Sequence, residues 1–147
     1  GLNMHSNGAK GGVLTCGSRS TGNFLLGKKP ELGYMTMEGQ EVFKFAVESP
    51  VQSIKQVLSD LDDTIDQMDY ILFHQANARI ISSISKRLKI KEEQLYSNIE
   101  EYGNTSAASI PIMLDEMNQK GLLKKGMKLL LVGFGAGLTW GTIYLEW

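Results

Sequence analysis

The chain has 147 residues, enough for one domain, and its 42% hydrophobic and 21% charged content is that of an ordinary globular protein. A formal net charge of −1 provides no global basic field for nucleic acid. No apolar run reaches the roughly eighteen residues of a transmembrane helix, so no membrane span is expected.

Residues 1–10 are polar and glycine-containing, and no signal peptide is expected there. Residues 12–16 read as a short strand ending at Cys16. As the single cysteine, Cys16 can form no internal disulfide, and a reducing cytoplasm is the expected compartment. Residues 17–35, rich in Gly, Ser, Lys and Pro, read as a surface loop. From Glu41 to about Ser59, the residues Phe43, Ala46, Val47, Val51, Ile54 and Leu58 recur at helical spacing, with a kink expected at Pro50. Leu61–Gln67 is acidic and turn-like. Tyr70–Phe73 reads as a buried strand, and Ile80, Ile81, Ile84 and Leu88 mark one face of the helix after it. A short strand is expected at Tyr96–Ile99. A Gly-Asn-Thr-Ser loop at residues 103–106 leads into a helix to Lys120, stopped by Gly121. Strands at Lys128–Val132 and Leu138–Trp147, joined by a glycine turn at residues 133–137, read as an antiparallel pair. The order is roughly β-α-β-α-β-β, an α/β arrangement with helices packed on a sheet.

His74 directly follows an apolar strand, and ligand sites in α/β sheets gather at the carboxyl ends of strands. On position alone, such a histidine is more often packed than reactive. Asn104 lies in the Gly-Asn-Thr-Ser loop at a helix start, where turn and capping roles are commonest. The Gly133-Phe134-Gly135-Ala136-Gly137 turn is followed by a strand pattern, not the helix that phosphate binding needs, so a dinucleotide site is excluded. A reactive thiol needs a helix N-terminus or a neighbouring cation, whereas Cys16 ends a strand and leads into the Gly17-Ser18-Arg19-Ser20 loop, where an inert cysteine is the common reading. His5 and His74 are far apart, no cluster has metal-ligand spacing, and no metal is expected. Arg79, Lys86, Arg87, Lys89 and Lys91 form a basic run. Its common meaning is a solvated helix face, and its sharper one a dock for an anionic partner.

Four stretches in order change the weight of these residues: residues 37–47 from Met37, residues 73–80 (Phe73-His74-Gln75-Ala76-Asn77-Ala78-Arg79-Ile80), residues 102–111 around Asn104, and residues 133–141 around Ala136. Together they resemble β-ketoacyl-acyl carrier protein synthase III, a condensing enzyme of the thiolase superfamily, over nearly the whole chain. The resemblance implies a thiolase-like half over residues 1–147: a mixed sheet with helices on both faces, normally one half of a five-layer α-β-α-β-α fold. The other half, with the nucleophilic cysteine of a Cys-His-Asn site, has no counterpart here. This chain alone is therefore expected to be inactive.

The family condenses an acyl-coenzyme A, usually acetyl-coenzyme A, with malonyl-acyl carrier protein and loss of carbon dioxide. The resemblance makes His74 and Asn104 the pair of neutral donors that stabilises the enolate formed by decarboxylation. It places an oxyanion donor at Ala136, where the family commonly has glycine and where alanine disfavours positive φ. It places Phe134 near the malonyl carboxylate. Gly39, Phe43, Ala76, Asn77 and Arg79 would line the coenzyme A and pantetheine entrance, and Lys44, Arg79, Lys86 and Arg87 would dock the acidic acyl carrier protein. No cofactor is implied beyond the coenzyme A thioester substrate, and the intact protein is expected to be a homodimer. Two other readings are a related Cys-His-Asn starter polyketide synthase and a non-catalytic thiolase-like binding or assembly module.

Overall fold

The computed structural model describes residues 1–17, 23–27 and 33–147. The apolar residues at Tyr70–Phe73 form strand β4, and those at Lys128–Gly135 form β5, parallel to it with Phe73 opposite Val132. A turn at residues 136–138 reverses the chain into β6, Thr139–Glu146, antiparallel to β5. Strand β1, Leu2–Ser6, adds to the far side of β6, giving a mixed sheet in the order β1-β6-β5-β4. A separate two-stranded ribbon pairs β2, Leu14–Cys16, with β3, Met35–Met37.

Strands buried on both faces read as continuous apolar runs, and alternate residues then serve different cores. Ile71, Phe73, Leu130 and Val132 face helices α1, Gly39–Asp60, and α2, Ala78–Leu88, packing with Ile54, Val57, Ile81 and Ile84. Leu72 and Leu129 face the opposite way, onto Met113 and Met117 of α4, Ser109–Gln119. The expectation of a mixed sheet with helices on both faces therefore holds.

Several details differ from the sequence reading. The first ten residues contain β1 and the start of a 3-10 segment, Gly8–Val13, so the strand expected from residue 12 starts at Leu14. Within the stretch read as a loop, residues 18–22 and 28–32 lie outside the described residues, while Phe24–Leu26 is a 3-10 turn and Met35–Met37 is β3. Helix α1 continues on both sides of Pro50, which is buried. No strand forms at Tyr96–Ile99. A single parallel bridge joins Ile71 to Leu95, and Ile99–Tyr102 is the short helix α3. Two carboxylates, Glu100 and Glu101, sit in its first turn, where the helix dipole favours negative charge. The helix expected from Ser106 begins with a 3-10 turn, Ser106–Ala108, becomes α-helical at Ser109, and ends before Gly121, whose φ is +67°.

Candidate active site

His74 follows the last residue of β4, and its backbone N–H donates to the Val132 carbonyl at 2.8 Å, continuing the β4–β5 ladder past the strand end. By the alternation of the strand, its side chain falls on the α4 side of the sheet. There Nδ1 lies 2.8 Å from Ser109 Oγ, at the amino end of α4. The Phe134 ring packs against the imidazole edge-on, with centroids 5.4 Å apart and planes at 72°. Burial pushes the half-buried imidazole below its ordinary pKa, and the Ser106 backbone acts more weakly in the opposite sense. The net effect favours a neutral ring, a state that has one nitrogen to donate and one to accept.

Asn104 stands on the turn between α3 and α4. Gly103 before it has φ +65° and ψ −153°, a region open essentially only to glycine. Asn104 Oδ1 accepts from the Ser106 N–H at 3.0 Å, which fixes the amide and leaves the Nδ2 hydrogens for another acceptor. Ser106 itself holds φ +54°, so the turn carries strain beside the side chain it orients.

His74 and Asn104 line one open cavity of about 1430 Å³. Phe134, Ala136, Gly39, Phe43, Ala76 and Asn77 line it as well, so eight of the sequence-selected residues converge there. Ala136 has no positive φ; Gly137 takes the unusual backbone angle, at +137°. The alanine methyl is therefore compatible with the turn, whose Ala136 carbonyl accepts from Thr139 Oγ1 at 2.9 Å. Asn77 has a structural duty too: its Oδ1 caps α2 by accepting from the Arg79 N–H at 2.8 Å.

Arg79 is not among the cavity's lining residues. It belongs with Lys44, Lys86 and Arg87, all exposed on the adjacent helices α1 and α2. The ion pairs among the described residues are Lys10–Glu41, Lys91–Asp66, Lys120–Glu116 and Lys128–Asp63, and none engages these four cations. Cys16 is exposed at the end of β2 and lines the cavity wall, as do Met35 and Met37 of β3. The sequence reading left out Ser109 and Gln75. Gln75 is 1% exposed, and its side chain joins Ser97 Oγ to the Phe73 carbonyl beneath His74. Both residues lie within the recognised stretches, but a serine near a helix start reads first as a cap.

Residues 58–147 match the family model described as 3-oxoacyl-[acyl-carrier-protein (ACP)] synthase III C terminal. The chain belongs to this family. It is 50% identical over 143 residues to the β-ketoacyl-[acyl-carrier-protein] synthase III of Clostridium novyi (strain NT), a match covering 97% of this chain and 44% of that protein. The corresponding protein of Clostridium tetani is 47% identical over 140 residues, covering 94% of this chain and 42% of the relative. Among solved structures, 3-oxoacyl-(acyl carrier protein) synthase III from Pseudomonas aeruginosa PAO1 superposes with a TM-score of 0.87 at 34% identity, covering 99% of this chain and 43% of that one. The chain thus spans less than half the length of the family members it matches.

Proposed function

We propose that this chain is the carboxyl-terminal half-domain of a β-ketoacyl-acyl carrier protein synthase III. In this reading it supplies the decarboxylation machinery, while an amino-terminal half supplies the cysteine that carries the acyl group. The observation that carries the reading is the convergence of His74 and Asn104 on one cavity, each with one side-chain atom tied down and another left to donate.

Loss of carbon dioxide from a malonyl thioester puts negative charge on the thioester oxygen. Two fixed neutral donors stabilise that charge without reorganising during the reaction. A neutral His74 and the Asn104 amide meet this need, and the low imidazole pKa keeps the ring from taking up the proton beforehand. Gly39, Phe43, Ala76 and Asn77 would line the path of the pantetheine arm, with the oxyanion of acyl transfer meeting the Ala136 N–H. The cations Lys44, Arg79, Lys86 and Arg87, which form no ion pair among the described residues, suit an acidic carrier protein, chiefly by speeding encounter at low salt. The substrates of this reading are an acyl-coenzyme A and malonyl-acyl carrier protein. The assembled enzyme would be a cytoplasmic homodimer without a cofactor. No helix among the described residues is long and apolar enough to cross a membrane.

The test is to co-express the chain with the amino-terminal part of the Clostridium novyi relative and to follow carbon dioxide release from malonyl-acyl carrier protein. The complex is expected to decarboxylate and condense, whereas this chain alone is expected to do neither. His74→Ala and Asn104→Ala are each expected to slow carbon dioxide release by about 10²–10³-fold, as loss of one oxyanion donor does. Full activity in either variant would refute the assignment.

A further inference from the structure

Ser109 lies at the first α-helical position of α4, is 2% exposed, and makes two contacts through one oxygen. The Gln75 backbone N–H points at Oγ from 3.3 Å, and His74 Nδ1 lies at 2.8 Å. A peptide N–H can only donate, so the serine oxygen accepts from Gln75. The hydroxyl then has its single hydrogen to place. If Nδ1 carried a hydrogen, the oxygen would accept twice, and neither of its two hydrogen bonds would use the buried hydroxyl hydrogen. If Nδ1 is bare, every group in the chain from Gln75 through Ser109 to His74 is matched.

We propose that Ser109 is a positioning residue that sets the tautomer of His74: its hydroxyl donates to Nδ1 and thereby keeps the ring hydrogen on Nε2. With Nδ1 accepting from Ser109, the ring hydrogen sits on Nε2, and this tautomer makes His74 a donor toward a bound oxygen and not an acceptor. Gln75 supports the arrangement from below. Its side chain accepts from Ser97 Oγ at 2.7 Å and donates to the Phe73 carbonyl at 2.8 Å, which anchors the peptide whose N–H holds Ser109. For its purpose the assignment rests on the decarboxylation reading, but its geometry does not. A site using His74 as a general base would need the opposite tautomer or a free Nδ1.

The test is long-range ring ¹⁵N–¹H correlation spectroscopy of the labelled chain at neutral pH. The chain has two histidines, so His5→Gln leaves the His74 signals alone. The expected result is one pyrrole-like nitrogen at Nε2 and one pyridine-like nitrogen at Nδ1. In Ser109→Ala the single form is expected to give way to a mixture of both tautomers, and Ser109→Thr, which keeps the hydroxyl, is expected to retain the parent pattern. A hydrogen on Nδ1 in the parent chain overturns the proposal, and so does an unchanged spectrum in Ser109→Ala. Should Ser109→Ala fail to fold, the parent and Ser109→Thr spectra decide the question. Because no substrate is present, an Nε2–H tautomer in a complex that does not decarboxylate would sink the functional reading and leave this one standing.

Discussion

The imidazole of His74 connects the chemistry of the site to the stability of the fold. Burial depresses its pKa from the ordinary value of 6.5, so the unfolded chain binds a proton more readily than the folded one. Stability therefore rises with pH wherever the unfolded state carries the extra proton. The sign gives a defined window: the histidine costs nothing well above pH 6.5, and its cost grows as pH falls below 6.5 toward the folded pKa, then stays constant. Asp63 and Glu116 have depressed pKa values, through hydrogen bonds to Lys128 and Lys120 respectively, and contribute their own losses near and below the carboxylate range. Urea unfolding between pH 5 and 8 is thus expected to show a decline below about pH 6.5. His74→Gln should flatten that part of the profile while leaving the acid losses below it. A parent chain whose stability is flat across this window would show that the ring is not held neutral by its surroundings.

At the level of elements, β1 is an edge strand whose only ladder among the described residues runs along β6. Gly141 faces it across the β1–β6 ladder, opposite Met4, and a Cβ at Gly141 would lie 2.9 Å from the Asn3 carbonyl oxygen. Backbone cannot yield as a flexible side chain does, so Gly141→Ala is expected to push β1 off the sheet. Hydrogen exchange would report it as lost protection along Leu2–Ser6, with the amides of α1 still protected. Unchanged protection in β1 would mean the strand tolerates the displacement. The same strand shows where sequence reading reaches its limit. The helices α1, α2 and α4, strand β4 and the β5–β6 hairpin were legible because each has a strong apolar pattern, such as the helical spacing of α1 and α2 and the continuous run of β4. In β1 the apolar/polar alternation Leu2-Asn3-Met4-His5 spans only four residues beside a polar, glycine-containing stretch, and its pairing partner lies at the other end of the chain. At residues 96–102 the apolar Tyr96 and Ile99 suggested a strand, but the buried Asn98 donates to Glu116 Oε2 at 2.8 Å and directs the chain into α3. In the candidate site, His74 and Asn104 could be found from recognised motifs. Ser109 could not, because its part depends on a neighbour 35 positions away.

At the scale of the whole molecule, one face of the sheet is only partly covered by the described residues. Alternation puts Leu129, Leu131, Gly133 and Gly135 of β5 on the α4 side, opposite Leu145, Ile143, Gly141 and Thr139 of β6. Helix α4 covers part of that face through Met113 and Met117, which pack with Leu72 of β4 and Leu129 of β5, and Leu131 and Leu145 flank the cluster. Beyond it, Leu131, Ile143, Met4 and three strand glycines form the floor of the cavity, with Met35 and Met37 on its wall. Met4 is 71% exposed and Met35 70%, an apolar area continuous with the candidate site. Exposed patches of this kind drive association in isolated domains. An amino-terminal half seated on this face would bury the patch and close the cavity over His74 at once, so the solvation of the sheet and the assembly of the site become one question. The chain alone is expected to self-associate with rising concentration in sedimentation velocity and to bind a hydrophobic dye. Adding the amino-terminal part of the Clostridium novyi relative should abolish the dye signal and leave one defined complex. Met4→Lys and Ile143→Lys, which place charge on the open floor, should reduce self-association of the chain and weaken that complex together. If the two substitutions relieved self-association while the complex formed undiminished, the amino-terminal half would have to dock on a different surface.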